Sequence, residues 1–328
     1  MERIIPSKLK KGDEIRVIAP SRSMNILSAD TIDLATKRLE ELGFKVTFGK
    51  NVRKEIDENY NCASIEDRVE DLHDAFKDTN VKAILTVIGG FNVNQILDYI
   101  DYELIQSNPK IICGFSDITA LLNAIYTKTG LVTYYGPHYS SFGMKKGLDY
   151  TIEYFKKMLM AEEDILVKSS SEWSDDLWFL NQEGRTFIKN DGLVVLNGGS
   201  AEGTIIGGNL CTLNLLQGTE YMPDLHDAIL LLEDDEAAGA NFLKEFDRNL
   251  QSLLHCYKNI KGLIIGRAQV SNEMTTQKWQ SIIQSKKELE NIPVIINADF
   301  GHTTPIFTFP IGGTIQVNES KITIKNEK

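Results

Sequence analysis

The sequence lacks the features that would place the protein in a membrane, in an export pathway or on nucleic acid. No apolar run approaches the roughly 20 residues of a membrane-spanning helix, and residues 1–20 contain no apolar signal-peptide core. Lysine and arginine number 35 against 46 aspartates and glutamates, which gives a formal net charge of −11. A surface of that sign repels a phosphate backbone. We therefore expect a cytoplasmic protein that binds no membrane and no nucleic acid polymer.

Cysteines and cofactor fingerprints are also scarce. The four cysteines are scattered without a C-x-x-C pair, and they are Cys62, Cys113, Cys211 and Cys256. Free thiols are therefore expected rather than disulfides or a zinc site. The glycine-rich residues 203–208 match neither G-x-x-x-x-G-K-[ST] nor G-x-G-x-x-G, the two common phosphate-binding fingerprints. The sequence therefore contains no fingerprint of a phosphate-bearing cofactor, and we predict that the protein uses no cofactor.

Apolar strand patterns alternate with amphipathic helix patterns along the first half of the chain. Short apolar runs occupy residues 13–19, 45–48, 82–88 and 110–113, and helical spacing of apolar residues separates them. Strands that are apolar throughout are typical of a parallel sheet covered by helices on both faces. We therefore predict that residues 1–165 form a doubly wound α/β domain with a parallel sheet.

A second domain is predicted at residues 191–328. Apolar strand patterns recur there at residues 227–232, 262–266, 293–297, 314–317 and 321–324. The last two runs fit an antiparallel hairpin, and a helix pattern precedes the second run. The chain therefore contains enough apolar segments for two cores.

A polar, acidic segment separates the two predicted domains. Residues 169–190, within a predicted connection at 166–190, show no clear periodicity and contain Trp173 and Trp178. A long irregular segment in a compact protein is either functional or disordered, and the tryptophans argue against disorder. Two interpretations stay open: a loop that faces the substrate, or a linker whose tryptophans fill the seam between the domains.

Ser116 is the first candidate for chemistry. The apolar run at 110–113 is followed by a turn and then by apolar positions at i, i+3, i+4 and i+7, which predict a helix. The Ser116 hydroxyl is therefore expected at a sharp strand-to-helix turn, beside N–H groups of the new helix. This is the geometry of a nucleophile elbow, with Ile118 in place of the second glycine. The alternative, which this stretch alone favours, is that Ser116 only caps the helix.

Two further side chains could complete that chemistry. Glu233 directly follows the predicted strand 227–232, at the carboxyl end where open α/β sheets place their ligands, and Asp234 is the alternative carboxylate. A run of four acids is also typical of a solvated loop. Among the histidines, His302 is preferred because a glycine precedes it and a proline follows at short distance, which restricts its loop. His138, in another Gly/Pro loop, is the second choice.

A glycine pair could supply the backbone donors that acyl transfer requires. Gly89 and Gly90 follow the predicted strand 82–88, and their bare N–H groups could approach a reacting oxygen. An ordinary tight turn is the alternative. The chain order serine, glutamate, histidine is that of α/β-hydrolases, and the same geometry recurs on unrelated folds. Cys113 is rejected as a nucleophile because it lies within a strand.

Six segments together resemble the LD-carboxypeptidase family of serine peptidases. They are VIAPSRS, TVIGGFN, GFSDITALLNAI, IIGGNLCTL, LLLEDDE and GHTTPIFTFPIGG, and they span nearly the whole chain. The resemblance implies a nucleophile at Ser116, an acid at Glu233, a general base at His302 and oxyanion donors at the amides of Gly90 and Asp117. It also implies an N-terminal α/β domain, a C-terminal mixed α/β domain with the site in the groove between them, homodimers and no metal.

Within the family, the segment EWSDDLWFLNQEGR resembles the longer tryptophan loop of the microcin C immunity branch. Enzymes of that branch cleave the amide between a C-terminal aspartate and a nucleotide-like group, so the implied substrate is a peptidyl- or aminoacyl-nucleotide and the implied role is detoxification of microcin C-type compounds. Trp178, or else Trp173, is then expected to stack on a nucleobase. Asn209 and Ser140 are candidate substrate-positioning groups.

Two other functions stay open from the sequence. One is a murein tetrapeptide LD-carboxypeptidase that releases D-alanine, because aromatic side chains also bind sugars and peptides. The other is a non-catalytic protein whose two domains close on a small ligand. The presence of serine, glutamate and histidine candidates together weakens the second alternative.

Overall fold

Two large β-sheets flanked by helices, and a separate two-stranded sheet, make up the computed structural model, which describes residues 2–56, 59–257 and 259–326. In chain order the strands are β1 (Glu14–Ile18), β2 (Lys45–Phe48), β3 (Val81–Thr86), β4 (Ile111–Gly114), β5 (Thr133–Tyr135), β6 (Ile165–Val167), β7 (Glu172–Trp173), β8 (Ile188–Lys189), β9 (Val194–Asn197), β10 (Ser200–Asn209), β11 (Ala228–Glu233), β12 (Gly262–Gly266), β13 (Val294–Ala298), β14 (Phe309–Ile311), β15 (Thr314–Asn318) and β16 (Lys321–Ile324). The α-helices are α1 (Ala29–Glu41), α2 (Ile65–Lys77), α3 (Tyr102–Ser107), α4 (Ile118–Thr129), α5 (Asp149–Met160), α6 (Leu210–Asn214), α7 (Phe242–Cys256) and α8 (Thr276–Gln284).

The first sheet has the strand order β14-β5-β4-β3-β1-β2. Strands β1 to β5 run parallel to their neighbours, and β14 pairs antiparallel with β5 at the edge. Side chains on both faces of β3 and β4 are buried because helices cover both faces of the sheet. The predicted parallel-sheet α/β fold of the N-terminal region is confirmed.

The second sheet has the order β6-β16-β15-β10-β11-β12-β13-β9. Its centre, β10 to β13, is parallel, and antiparallel strands flank it on both sides. The C-terminal region is therefore a mixed α/β sheet, and β15 with β16 form the predicted hairpin.

Strand β10 was not predicted, because its glycines interrupt the apolar pattern. Gly207 has φ +151°, and a Cβ atom there would lie 1.9 Å from the carbonyl oxygen of Leu231 on β11. Gly208 has φ +121° and packs against the side chains of Thr119 and Tyr135. The glycines therefore let β10 pass close to β11 and to the helix that follows Ser116.

The two sheets exchange strands across the predicted domain division. Strand β6 follows the N-terminal helices but belongs to the second sheet, while β14 comes late in the chain but completes the first. The domain boundaries at residues 165 and 191 remain a prediction.

Serine hydroxyls cap the first two α-helices. Ser28 caps α1, and the Ser64 hydroxyl accepts the Asp67 N–H at 3.1 Å at the start of α2. In the described ranges, we find no helix with the length and apolar character that a membrane crossing would need.

The segment 169–190 is more ordered than its sequence predicts. It contains the two-stranded hairpin β7–β8, and one buried carboxylate, Asp299, holds both of its ends. Asp299 accepts the N–H of Ser170 at 2.8 Å and its hydroxyl at 2.9 Å, and it accepts the amide of Asn190 at 3.3 Å. Arg267 pairs with Asp299 at 2.7 Å. The loop is therefore anchored at its base to the segment that leads to His302.

Candidate active site

Ser116 lies in the turn between β4 and α4 with φ +61°, a left-handed conformation that is uncommon outside glycine. Its hydroxyl does not cap the helix, because its oxygen is hydrogen-bonded to His302. Gly89 on the neighbouring turn leaves room for it, since a Cβ atom at Gly89 would lie 2.9 Å from the Ser116 Cβ. The strained turn and the close glycine give Ser116 the geometry of a nucleophile elbow.

Ser116, His302 and Glu233 form a continuous hydrogen-bonded chain. The Ser116 Oγ lies 3.0 Å from His302 Nε2, and His302 Nδ1 lies 2.7 Å from Glu233 Oε2. Ser116 follows a strand of the first sheet, whereas Glu233 ends β11 and His302 follows β13 in the second sheet. The site therefore lies where loops of the two sheets meet. A hydroxyl, an imidazole and a carboxylate in this order can activate the hydroxyl for nucleophilic attack.

The residue before His302 is a glycine because the Glu233 carboxylate leaves no room there for a side chain. Gly301 has φ +106°, and a Cβ atom at this position would lie 2.6 Å from the Oε2 of Glu233. A larger residue would push the backbone away from Glu233. Gly301 thus lets His302 approach closely enough for its 2.7 Å hydrogen bond.

The electrostatics of the pair favour an ionised Glu233 beside a basic His302. Burial opposes the charge of Glu233, but His302 and the Tyr135 hydroxyl hold the pKa of its carboxyl below the ordinary value. Burial also opposes a charge on His302, but Glu233, Asp235 and Asp234 together raise its pKa above the ordinary value. Burial beside Glu233 and Asp235 raises the pKa of Asp234 to about 7. A negative field therefore surrounds the imidazole.

Tyr135 is a member of the site that the sequence analysis missed. Its hydroxyl donates to Glu233 Oε1 at 2.7 Å and accepts the backbone N–H of Ser116 at 3.4 Å. The residue is fully buried on β5. Nothing in its sequence context distinguishes it from a core tyrosine, because the contact with Glu233 forms only when the two sheets pack together.

The carboxylate of Asp117 organises the turn that contains Gly90. Its Oδ2 accepts the Ser21 hydroxyl at 2.6 Å and the backbone N–H groups of Asn92 and Val93, each at 3.0 Å. Across the described part of the chain, the backbone N–H groups of Gly90 and of Asp117 itself have no hydrogen-bond acceptor. The two residues that carry these unpartnered N–H groups line one cleft together with Ser116.

Two clefts open on either side of Ser116, and Ser116 lines both. The first, which we call the Trp178 cleft, has a volume of about 360 Å³ and is also lined by Arg22, Trp178 and His302. The second, the Asp234 cleft, has a volume of about 310 Å³ and is also lined by Gly90, Asp117 and Asp234. A substrate bound across Ser116 would therefore place one group in each cleft.

The four predicted substrate-binding residues lie in different places. Trp178 and Ser140 line the Trp178 cleft. Asn209 lines the Asp234 cleft, where its amide donates to Asp234 at 3.0 Å and its oxygen caps α6. Trp173 lines neither cleft, and its ring packs on the guanidinium of Arg267 at 5.0 Å. Of the two tryptophans, the one beside Ser116 is thus Trp178.

His138, the second choice for the general base, and Cys113, the rejected nucleophile, are both buried. His138 stacks on Phe115 with ring centroids 4.2 Å apart, and its Nδ1 is bonded to Thr86 at 2.8 Å. Burial lowers the pKa of His138 and raises that of the Cys113 thiol. Neither side chain contacts the Ser116 hydroxyl. Within residues 2–56, 59–257 and 259–326, no group of three or more His, Cys, Asp or Glu side chains is placed to hold a metal ion.

Known proteins match the chain along most of its length. Residues 15–136 match the LD-carboxypeptidase N-terminal domain, and residues 202–317 match the LD-carboxypeptidase C-terminal domain. The Bacillus subtilis protein YocD, whose name assigns carboxypeptidase activity provisionally, is 55% identical over 95% of each chain.

Solved structures agree with these matches. The crystal structure of an MccF-like protein from Bacillus anthracis str. Ames has a TM-score of 0.96 at 57% identity, covering 98% of this chain and 99% of that one. The Escherichia coli microcin C7 self-immunity protein MccF is 30% identical over 96% of this chain and 93% of its own. Its structure in complex with aspartyl sulfamoyl adenosine has a TM-score of 0.89 at 28% identity and covers 99% of each chain. The chain belongs to the LD-carboxypeptidase family of serine peptidases.

Proposed function

We propose that the protein is a serine-type amide hydrolase with Ser116 as nucleophile, His302 as general base and Glu233 as the orienting carboxylate. The observation that carries this proposal is the hydrogen-bonded chain from Glu233 through His302 to the Ser116 hydroxyl. His302 takes the proton of Ser116 as its oxygen attacks the scissile carbonyl. The protonated imidazole then gives that proton to the leaving nitrogen as the C–N bond breaks. Water, activated by the same imidazole, hydrolyses the acyl-enzyme.

The backbone N–H groups of Gly90 and Asp117 are the proposed oxyanion hole. Neither N–H group has another acceptor in the described ranges, and both residues line the Asp234 cleft together with Ser116. Such preorganised donors stabilise the negative charge of the tetrahedral intermediate.

The leaving group is proposed to occupy the Trp178 cleft. His302, which must protonate the leaving nitrogen, lines this cleft together with Trp178. The indole offers an aromatic face on which a nucleobase can stack. MccF, with which the chain shares its fold, has been solved with aspartyl sulfamoyl adenosine. The proposed substrate is therefore an amide between a C-terminal aspartate, or another acyl amino acid, and a nucleotide-like group.

The remaining predictions extend this proposal to the cell. The role that fits such a substrate is detoxification of microcin C-type peptide–nucleotides by a cytoplasmic homodimer. The name LD-carboxypeptidase, given to both matched family domains, favours a second candidate, the release of D-alanine from a murein tetrapeptide.

The test is a mass-spectrometric hydrolysis assay of wild type and Ser116→Ala against an aspartyl–nucleotide amide and a murein tetrapeptide. We expect wild type to release aspartate from the nucleotide amide and Ser116→Ala to lose on the order of 10⁶-fold in kcat. Release of D-alanine alone would favour the second candidate. No turnover of either substrate by folded wild type would reject both and favour a non-catalytic binding protein. Circular dichroism of the variant controls for folding.

A further inference from the structure

We infer that Arg22 has two roles in this site: it holds the Gly90 N–H in the direction of the oxyanion, and it receives an anionic group of the substrate in the Trp178 cleft. The inference rests on the proposed amide hydrolysis and names the chemistry that the leaving group must carry. Arg22 lies in the loop after β1 and lines the Trp178 cleft. Its Nε donates to the carbonyl oxygen of Gly89 at 3.0 Å.

The bond to Gly89 fixes the direction of the Gly90 N–H. The Gly89 carbonyl and the Gly90 N–H belong to one planar trans peptide, so they point in opposite directions. Gly89 and Arg22 line the Trp178 cleft, whereas Gly90 lines the Asp234 cleft with Asp117. Holding the carbonyl on one side therefore directs the N–H to the other side, where the second proposed donor lies.

Packing around Gly90 reinforces this orientation. A Cβ atom at Gly90 would lie 2.3 Å from the Ser21 hydroxyl and 3.0 Å from the Arg22 Cγ. The stem of Arg22 and the Ser21 hydroxyl thus fill the space beside the peptide. Ser21 is itself bonded to the Asp117 carboxylate at 2.6 Å. The two proposed oxyanion donors are held by one connected set of contacts.

The outer edge of the Arg22 guanidinium is open. Among the residues that the structure describes, the Nη1 and Nη2 atoms of Arg22 have no hydrogen-bond partner. Neither atom is buried. In the same ranges, Arg22 supplies the only arginine or lysine side chain that lines the Trp178 cleft. The planar fork of an arginine matches the two oxygens of a carboxylate or a phosphate. Arg22 can therefore bind an anion without giving up its bond to Gly89.

The acidic side chains that line the same cleft have other partners. Asp176 pairs with Arg185 at 2.9 Å, and Asp175 accepts the N–H of Val270 at 2.6 Å. Asp235 accepts the backbone N–H of Ala237 at 2.8 Å.

The fourth acid, Glu236, accepts the hydroxyl of Ser271 at 2.6 Å. Asp117, which precedes α4 and interacts electrostatically with Arg22, accepts three hydrogen bonds from other groups and none from Arg22 among the described residues. The open edge of the guanidinium is thus left for a ligand.

The ligand chemistry is an oxyanion attached to the leaving group. In a nucleotide amide this is the phosphate or sulfamate next to the scissile bond, and in a peptide it is the carboxylate of the terminal residue. Both would lie in the Trp178 cleft near His302, because the leaving nitrogen must reach that imidazole.

The experiment compares wild type, Arg22→Gln and Arg22→Lys on three substrates: an aspartyl–nucleotide amide, a murein tetrapeptide, and an aspartyl anilide. The anilide is the neutral substrate in the sense that its leaving group carries no charge. With the substrate that wild type prefers among the two anions, we expect Arg22→Gln to raise KM roughly 10- to 150-fold, in addition to the fall in kcat that this substrate shares with the neutral anilide. With the neutral anilide we expect only kcat to fall, by up to roughly 100-fold, because the oxyanion donor is misdirected. Arg22→Lys is expected to recover part of the KM effect, since it retains the charge, and none of the kcat effect. The anionic substrate that wild type prefers shows whether the group bound by Arg22 belongs to a nucleotide or to a peptide carboxylate.

The control is Arg53→Gln, the same change at an exposed arginine that lines neither cleft. Equal losses of folded Arg22→Gln on anionic and neutral substrates would overturn the anion role, and an unchanged kcat on the anilide would overturn the positioning role. If wild type hydrolyses nothing, the proposed function fails. In that case calorimetry compares the binding of adenosine monophosphate and adenosine to wild type and to Arg22→Gln. Tighter binding of the phosphate compound to wild type, lost in Arg22→Gln, would support the anion role. Equal binding of the two compounds to wild type would overturn it.

Discussion

Ser174 and Thr304 exchange two backbone hydrogen bonds of 2.8 and 2.7 Å, and Thr304 lies two residues after His302. On the other side of the histidine, Asp299 holds Ser170. The loop that contains Trp178 is therefore attached to the His302 segment both before and after the imidazole. A displacement of the loop must therefore be transmitted to His302, the proposed general base.

Removing one of these backbone bonds should reduce catalysis. Proline at position 174 has no N–H, so Ser174→Pro breaks the bond to Thr304. We expect kcat to fall although the nucleophile Ser116 is unchanged. The measurement is the steady-state turnover at saturating substrate. Ser174→Ala, which keeps both backbone bonds, is the matched control and should remain close to wild type. Equal activity of the proline and alanine variants would show that the attachment has no role in turnover.

The pH dependence of activity should depend on Glu233. His302 must be neutral to accept the Ser116 proton, so activity rises as pH increases through the pKa of the imidazole. Glu233 and the nearby aspartates raise the pKa of His302, which places this rise above the ordinary value of about 6.5. Glu233→Gln removes the largest attraction, so the rise moves to lower pH while kcat falls roughly 10⁴-fold.

The measurement is the pH profile of kcat/KM for wild type and Glu233→Gln. Glu236→Gln is a suitable control, because Glu236 lines the Trp178 cleft but is not among the groups that shift His302. A rise that stays at the same pH in Glu233→Gln would contradict the proposed coupling between the carboxylate and the imidazole.

Trp178 and Trp173 should differ in their effects on substrate binding. Loss of a stacked aromatic costs about 1–3 kcal/mol per base, so Trp178→Ala should raise KM for the nucleotide amide roughly 5- to 150-fold. Trp173→Ala should leave KM nearly unchanged, because its ring packs on Arg267 outside both clefts. Steady-state kinetics of the two variants provide the comparison. A larger effect of Trp173→Ala would assign the stacking to the other tryptophan.

The buried pair of Arg267 and Asp299 should contribute strongly to stability. Both side chains are almost fully buried, so Asp299→Ala leaves a charge without its partner and frees Ser170 as well. We expect the free energy of unfolding to fall by about 3–5 kcal/mol in urea denaturation. Glu41→Ala breaks the exposed pair of Lys37 and Glu41, and it should cost less than about 1 kcal/mol. Similar losses in the two variants would contradict this assignment.

Local patterns identified as candidates three side chains that the structure brings together. Ser116 follows an apolar strand and precedes a helix, and Glu233 ends a run of buried residues. His302 lies in a loop between a glycine and a proline. These features depend on neighbouring residues in the chain, which is why the sequence alone brought the same three side chains together as candidates.

The contacts between distant segments could not be predicted in the same way. Tyr135 resembles any tyrosine in a strand, and its bond to Glu233 depends on the packing of two sheets. The two tryptophans share one loop, but only the folded hairpin turns Trp173 towards Arg267 and leaves Trp178 beside Ser116. Strand β10 was not predicted from the sequence, because its glycines allow close packing of the backbone and do not contribute buried side chains to the apolar pattern.

The late position of β14 in the chain determines when the site can form during synthesis. Phe309 stacks on Tyr135 with ring centroids 4.9 Å apart, and Tyr135 in turn holds Glu233. The nucleophile is translated long before the strand that completes its sheet. A ribosome-bound chain that ends before residue 309 therefore carries Ser116, Glu233 and His302 without the edge strand that buries their support. The nascent protein is expected to remain inactive until its last strands emerge.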